Sequence, residues 1–263
     1  MALPFTPPTS LDPSFTILRP TEADIDALAE IYFDAFATDP GNTFWWSPDY
    51  DAMFEWLRAR IVKKMADRGV RHFQVVDDQN KAVVAFARWD IPKGYESYFG
   101  QWVGSDGALD VSRILTAEST EEPAAEPVGG LVAPVEETEP AATQTIEGPR
   151  GSDPALCQKF FAILSGLSSQ YNAKSMLGLS LLCTSPKYHR RGAAKALLAP
   201  MLAIADAAGL RTYLEATPGG RPVYEKLGFR TVEVKEFDLD ALTRGKIKET
   251  YKLSIMIREP LSL

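Results

Sequence analysis

The chain has 263 residues, 45% of them hydrophobic and 10% aromatic, enough apolar sequence for a sizeable core, and a formal charge of −7. Residues 100–155 hold eleven Asp and Glu against two Arg, a net of −9, so the rest of the chain is close to +2. The acidity therefore belongs to one segment, and no basic face of the kind a nucleic-acid binder carries is present.

Two cysteines, Cys157 and Cys183, give neither a disulfide framework nor metal-ligand spacing, which suits a reducing compartment. The first fifteen residues lack the basic region and apolar run of a signal peptide, and no stretch reaches the roughly 18–20 apolar residues of a membrane span. The expected placement is cytoplasmic, with the nucleus left open, and no metal or membrane partner is expected.

Residues 1–13 read as a flexible, Pro-rich leader, and Phe15–Leu18 as a strand. Thr21 then caps a helix with Asp24 in the capping-box position, and Ile25, Leu28, Ile31, Tyr32 and Phe36 recur at helical spacing. Asp39-Pro40-Gly41 ends that helix. Ser47 as N-cap and Pro48 in the first turn open a second, which runs to about Arg68-Gly69. Strands follow at Val70–Val76 and Ala82–Trp89, joined by the turn-like Asp77–Asn80.

Residues 104–152 are rich in Ala, Glu, Pro and Thr, a composition that cannot bury enough apolar area to offset chain entropy. They are expected to be a solvated insertion, with a weak helix near Val111–Leu115, in one domain whose halves are residues 14–103 and 153–263. Beyond it, Leu156, Phe160, Phe161, Ile163, Leu164 and Leu167 form a helix face starting at Pro154. Then come a strand (Ser175–Thr184), a loop (Ser185–Arg191), a helix (Gly192–Ala208), a strand (Arg211–Ala216), a short helix (Arg221–Leu227) and strands around Phe229–Phe237 and Glu249–Arg258. This order makes a mixed α/β sheet.

The most informative segment runs from Leu179 to Leu198. A strand enters a loop with Pro186, two arginines, one glycine and two alanines, and the loop opens directly into a helix. Unpaired amides at a helix N-terminus, with the positive end of the dipole, bind phosphate oxygens, and small residues let the phosphates approach. Arg190, Arg191 and Lys195 put cations where a helix start would ordinarily prefer acids. A capped amphipathic helix with solvated cations would also give this pattern.

Here the chain resembles the GNAT acetyltransferase superfamily, whose acetyl-CoA loop has the form Gln/Arg-x-x-Gly-x-Gly/Ala after a strand and a Pro-x-Tyr. The matching residues are Pro186-x-Tyr188 and His189-Arg190-Arg191-Gly192-Ala193-Ala194, with His189 departing from the first position. Phe15-Thr-Ile-Leu-Arg-Pro-Thr-x-x-Asp24 looks like the family's opening strand and helix, and Tyr224-Glu-Lys-Leu-Gly-Phe229 like its closing motif. Leu214-Glu-Ala and Pro218-Gly-Gly are similar in style to fungal members.

The resemblance implies a mixed, largely antiparallel sheet of six to seven strands, flanked by helices and splayed at its centre for acetyl-CoA. It implies that the backbone of Leu182, Cys183 and Thr184 pairs with the pantetheine arm, and that His189, Arg190, Arg191, Gly192, Ala193, Ala194 and Lys195 form the pyrophosphate loop. Tyr224 would be the general acid for the leaving thiolate; a phenol of pKa about 10 suits a thiolate of pKa about 8.5. Direct transfer to an amine needs a base: Glu215 first, then Asp90, although each also reads as an ordinary paired carboxylate. Cys183, in an apolar run without a His partner, reads as an inert buried thiol rather than a nucleophile.

The acceptor pocket would be lined by Phe44, Trp45 and Trp46 and by the segment around Tyr95, whose aromatics suit an apolar or cationic amine. Trp45, Trp46 and Trp89 read equally well as core. The expected protein is an acetyl-CoA-dependent N-acetyltransferase of a primary amine on a small molecule or a peptide, monomeric or homodimeric. The alternative is a non-catalytic acyl-CoA-binding regulator on the same fold. A nucleotide enzyme is disfavoured by the absence of Gly-x-Gly-x-x-Gly and Gly-Lys-Ser/Thr.

Overall fold

A computed structural model describes residues 3–100 and 147–261; the weak helix expected near Val111–Leu115 and most of the expected insertion lie outside the described residues. The elements are β1 (Phe15–Leu18), α1 (Ile25–Phe36), α2 (Pro40–Thr43), α3 (Tyr50–Met65), β2 (Val70–Asp77), β3 (Val83–Asp90), α4 (Pro154–Gln170), β4 (Leu177–Thr184), α5 (Ala193–Ala207), β5 (Thr212–Ala216), α6 (Arg221–Glu225), β6 (Arg230–Asp238), α7 (Leu239–Thr243) and β7 (Thr250–Arg258). They build a seven-stranded sheet in the order β1-β2-β3-β4-β5-β7-β6. Only β4 and β5 run parallel, so the sheet is mixed and largely antiparallel, as expected.

Aspartate caps explain where the boundaries differ from expectation. The second long helix starts at Tyr50, not at Pro48, because the Asp49 carboxylate accepts from the amides of Asp51 and Ala52 at 3.0 and 3.2 Å. Ser47 acts one step earlier, its hydroxyl accepting from the Asp49 amide at 3.1 Å. The first helix ends before Asp39, as expected, and Asp39 also caps α2, accepting from the Gly41 amide at 3.1 Å. Asp238 caps α7 in the same way, accepting from the Ala241 amide at 3.0 Å. Helices of one turn are too short for a hydrophobic period to reveal.

The sheet has a core on each face. On one, α5 lays Leu197, Leu198, Met201 and Ala205 against Phe73, Val75, Ala85, Ala87 and Trp89. On the other, α1, α3 and α4 contribute Leu28, Leu57, Ile61 and Phe160 against Phe86, Leu181, Cys183 and Leu253. The leader expected to be flexible lies on the α5 face: Leu3, Phe5 and Leu11 pack on that core, and Phe5 meets Phe73 at 5.1 Å between ring centroids. The Glu147 carbonyl accepts from the Trp56 indole at 2.8 Å and Arg150 donates to Glu55 at 3.2 Å, so this stretch is docked on α3.

One buried ion pair ties the two halves of the splay from the rear. The Arg258 guanidinium on β7 forks onto Asp206 of α5 at 2.6 and 2.8 Å, with side chains 5% and 11% exposed. Burial would raise the Asp206 carboxyl, but hydrogen bonds from Arg258 and the Leu261 amide hold it below its ordinary value. Asp206→Ala should destabilise the fold by about 3–5 kcal/mol, because it strands a buried guanidinium; chemical denaturation measures this.

Candidate active site

The centre of the sheet opens for a stereochemical reason. β3 and β4 stay in register from Ala85–Thr184 to Arg88–Leu181, but Trp89 pairs with Leu179, so Ser180 is an extra residue on β4. This is a β-bulge, which reverses the inside–outside alternation. Leu177 and Leu179 accordingly face the α5 core, whereas Leu181 and Cys183 face the opposite core. The bulge coincides with the end of β4–β5 pairing, which covers only Leu177–Thr212, Gly178–Tyr213 and Leu179–Leu214. Beyond it β4 continues to Thr184 without β5 as a partner, leaving an edge of backbone donors and acceptors toward the gap.

The loop after β4 turns through Pro186–Tyr188 and places Arg190 at φ +64° and Gly192 at φ +85°, both in the left-handed region. Holding a non-glycine residue there costs roughly 1–2 kcal/mol, a strain typical of anion-cradling turns. His189 closes the loop: its Nε2–H donates to the Thr184 carbonyl at 3.0 Å. At the start of α5 the first helical bond runs from the Ala196 amide to the Gly192 carbonyl, and no side chain caps the amides before it. Those donors suit a phosphate.

Arg191 points away. Its guanidinium donates to Asp12 at 2.9 and 3.1 Å and to the Ser14 hydroxyl at 3.0 Å, and lies 4.2 Å from the Phe15 ring centroid. Hydrogen bonds from Ser14, then from Arg191, hold the Asp12 carboxyl at about 2. The Arg191 side chain is thus an anchor between the loop and the leader.

A cavity of about 1580 Å³ passes from this loop through the splay to the far face. Its walls include Leu182, Thr184, His189, Arg190, Gly192, Ala193, Ala194 and Lys195 on the loop side, and Tyr32, Trp45, Arg60, Arg88 and Phe160 on the other. Tyr224 and Glu215 line it between them.

Tyr224, on α6, packs with the α5-face core and meets Phe229 edge-on at 5.9 Å. Burial, then the neighbouring Cys183, pushes its hydroxyl well above the ordinary phenol value, so it remains a proton donor. Glu215 faces the opposite way: Leu214 and Ala216 belong to the α5-face core, so Tyr213 and Glu215 between them project to the α1–α3–α4 side. Burial raises the Glu215 carboxyl, partly offset by the Tyr213 hydroxyl donating at 2.9 Å. Acid and base candidates therefore meet the cavity from opposite faces.

Other sequence candidates are placed differently. Asp90 does not line the cavity; it lies at the end of β3 opposite Gly178, ion-paired with Lys64 at 3.3 Å. Phe44 is core, edge-on to Phe160 at 5.1 Å, and Trp46 packs on Phe33. Tyr95 packs on the α5-face core and does not line the cavity. Trp45 is both core and wall: 3% exposed, it stacks on Phe160 and still lines the cavity. Cys183 is a buried thiol whose ionisation burial opposes, as its apolar run implied. Sequence reading missed Tyr32, Arg60 and Arg88. The signal for Arg88 was available, since it stands inside the apolar run Val83–Trp89, where a charge is expensive.

Residues 162–242, which contain β4, the loop, α5, Glu215 and Tyr224, match the family model described as Acetyltransferase (GNAT) domain. With that match, the chain is an acyltransferase. Among solved structures, the mosquito arylalkylamine N-acetyltransferase like 5b shares the fold, at 12% identity and a TM-score of 0.51 over 94% of this chain and 100% of that one. A histone acetyltransferase HPA2 and related acetyltransferase from Corynebacterium glutamicum is similar at 19% identity and a TM-score of 0.49, covering 95% of this chain and 98% of that one. The PaiA N-acetyltransferase from Thermoplasma acidophilum, in complex with coenzyme A, is similar at 12% identity and 0.44, covering 94% and 99%. No curated protein matches the sequence. No helix of the acetyltransferase, among the described residues, is long and apolar enough to cross a membrane.

Proposed function

We propose that the protein transfers an acetyl group from acetyl-CoA to an amine nitrogen by direct attack. The observation that carries this reading is the cavity that joins an uncapped helix N-terminus to Glu215 through a gap in the sheet. Acetyl-CoA brings the thioester that is cleaved. The amides opening α5, with Arg190 and Lys195 beside them, would hold the pyrophosphate, and the free edge of β4 at Leu182–Thr184 would pair with the pantetheine arm as an added strand.

In this reading Glu215 accepts a proton from the acceptor ammonium, and the freed nitrogen lone pair attacks the thioester carbonyl. The C–N bond forms, the C–S bond breaks, and Tyr224 gives its proton to the departing thiolate. The nitrogen's second proton passes to the Tyr224 phenolate, and Glu215 releases its proton to solvent, so the products are the N-acetyl amine, CoA thiol and one proton. The opposed faces of the two residues support the division of roles, as does the direction of each shift: a raised carboxyl is a better base, and a neutral phenol can donate.

Tyr224→Phe tests the acid. It should lower kcat by about 10–100-fold while leaving the Kd for acetyl-CoA within about twofold, read by steady-state kinetics and calorimetry. An unchanged kcat would remove Tyr224 from the proton transfer.

A further inference from the structure

The far wall of the cavity carries two arginines without an ion-pair partner among the described residues: of the acids that also line the cavity, Asp39 accepts from Gly41, Asn42 and Tyr251, and Glu236 pairs with Lys252. Arg88, 5% exposed, stands on β3 and donates to the Ser180 hydroxyl and carbonyl at 2.9 and 3.4 Å. A guanidinium has five N–H donors, so the Ser180 contacts leave several unused. Arg60, half-buried, reaches in from α3 across the Trp56 ring at 4.6 Å and the Phe161 ring at 5.6 Å, and makes no hydrogen bond or ion pair among the described residues. Burial, then Tyr32 and Arg88, sets its electrostatic surroundings; the neighbour Arg88 acts against its charge, and no carboxylate acts for it.

Glu215 also lines the cavity, but Tyr213 is its hydrogen-bonding partner, and neither arginine contributes to its ionisation. Burying two like charges side by side is costly unless an opposite charge completes the site. A third donor is at hand: the Tyr32 phenol, held neutral by burial, lines the same wall. The pyrophosphate loop is on the opposite face of the sheet, so the donor's phosphates do not serve.

We infer that Arg60 and Arg88, with Tyr32, bind a carboxylate on the acceptor, so that the amine acetylated belongs to a molecule that also bears a carboxylate and an apolar body. The inference rests on the acyl-transfer reading above and narrows its substrate. The apolar body suits the rings of Trp45, Phe160 and Phe161, which share that wall. Planar guanidinium groups favour bidentate oxyanions. A carboxylate fits better than a phosphate, because the walls next to the arginines are aromatic and exclude the water a dianion would retain.

The first test uses the unaltered protein. Matched pairs of amines that differ only by a carboxylate, phenylalanine against phenethylamine and tyrosine against tyramine, are compared by CoA-thiol release, with aminophosphonate analogues as a third arm. The carboxylate member should have the higher kcat/KM by tenfold or more. Calorimetry adds a readout independent of turnover: 3-phenylpropionate should bind at least tenfold more tightly than 3-phenylpropanol. Arg60→Gln and Arg88→Gln should each collapse that ratio toward one, and Arg60→Lys should restore part of it, with circular dichroism confirming the fold.

Equal kcat/KM within each pair, or equal binding of acid and alcohol, would overturn the carboxylate site while leaving acetyl transfer in place. A tenfold preference for the phosphonate would overturn the choice of carboxylate. Failure of acetyl-CoA itself to bind would instead strike the acyl-transfer reading.

Discussion

Gly192→Val should lower the affinity for acetyl-CoA by at least about a hundredfold, the largest effect expected of any single change in the donor half. Two costs combine. Gly192 sits at φ +85°, where a β-branched residue pays about 2 kcal/mol or more. A Cβ there would also come within 3.3 Å of the Ser10 carbonyl, so the leader and the loop must move apart. The helix N-terminus then loses the geometry that points its amides at one phosphate. Titration calorimetry measures the loss, and a melting curve separates it from unfolding. Undiminished affinity would dismiss this loop as the pyrophosphate site.

Glu215→Gln should lower kcat by about 10²–10⁴-fold, the range expected when a positioned general base is removed. The pH profile supplies the sharper signature. Burial raises the Glu215 carboxyl above its ordinary 4.5, so in the parent protein kcat/KM should climb with pH through an acid limb above that value. The limb should vanish in the glutamine variant. The linkage to stability has the opposite sense. A carboxyl raised on folding favours the protonated native state, so its contribution is fully present below the unfolded value and is lost as pH rises through the folded one. Glu215→Gln should therefore flatten that loss of stability while it depresses turnover. A variant with normal kcat and an intact acid limb would transfer the base role to another group.

The proposed donor half rests on residues that are adjacent in the sequence. A phosphate cradle demands small residues and a helix start in fixed order, so Gly192, Ala193 and Ala194 after a strand carry the signal locally. Arg191 shows the limit of local reading: its charge looked like part of the cradle, but Asp12, far away in sequence, draws it outward. The acceptor half was scarcely legible, because it depends on which face of the sheet each side chain takes. Tyr95 was near the right place along the chain, yet it packs on the α5 face. The single extra residue at Ser180 changes the facing of everything after it on β4, and no periodicity announces such a bulge. Arg60 carried no signal in the sequence, since only the fold takes its side chain across Trp56 and Phe161 into the cavity. The fold itself was legible, because the long strands and helices carry clear patterns; only the one-turn helices α2 and α7 escaped.

The measurement that bears most directly on the account is release of CoA thiol from acetyl-CoA, followed with and without an amine acceptor. The account predicts release that depends on the amine and is matched mole for mole by N-acetylated product. Tight binding of acetyl-CoA with no release on any amine across a broad panel would contradict it and favour an acyl-CoA-binding regulator built on the same fold.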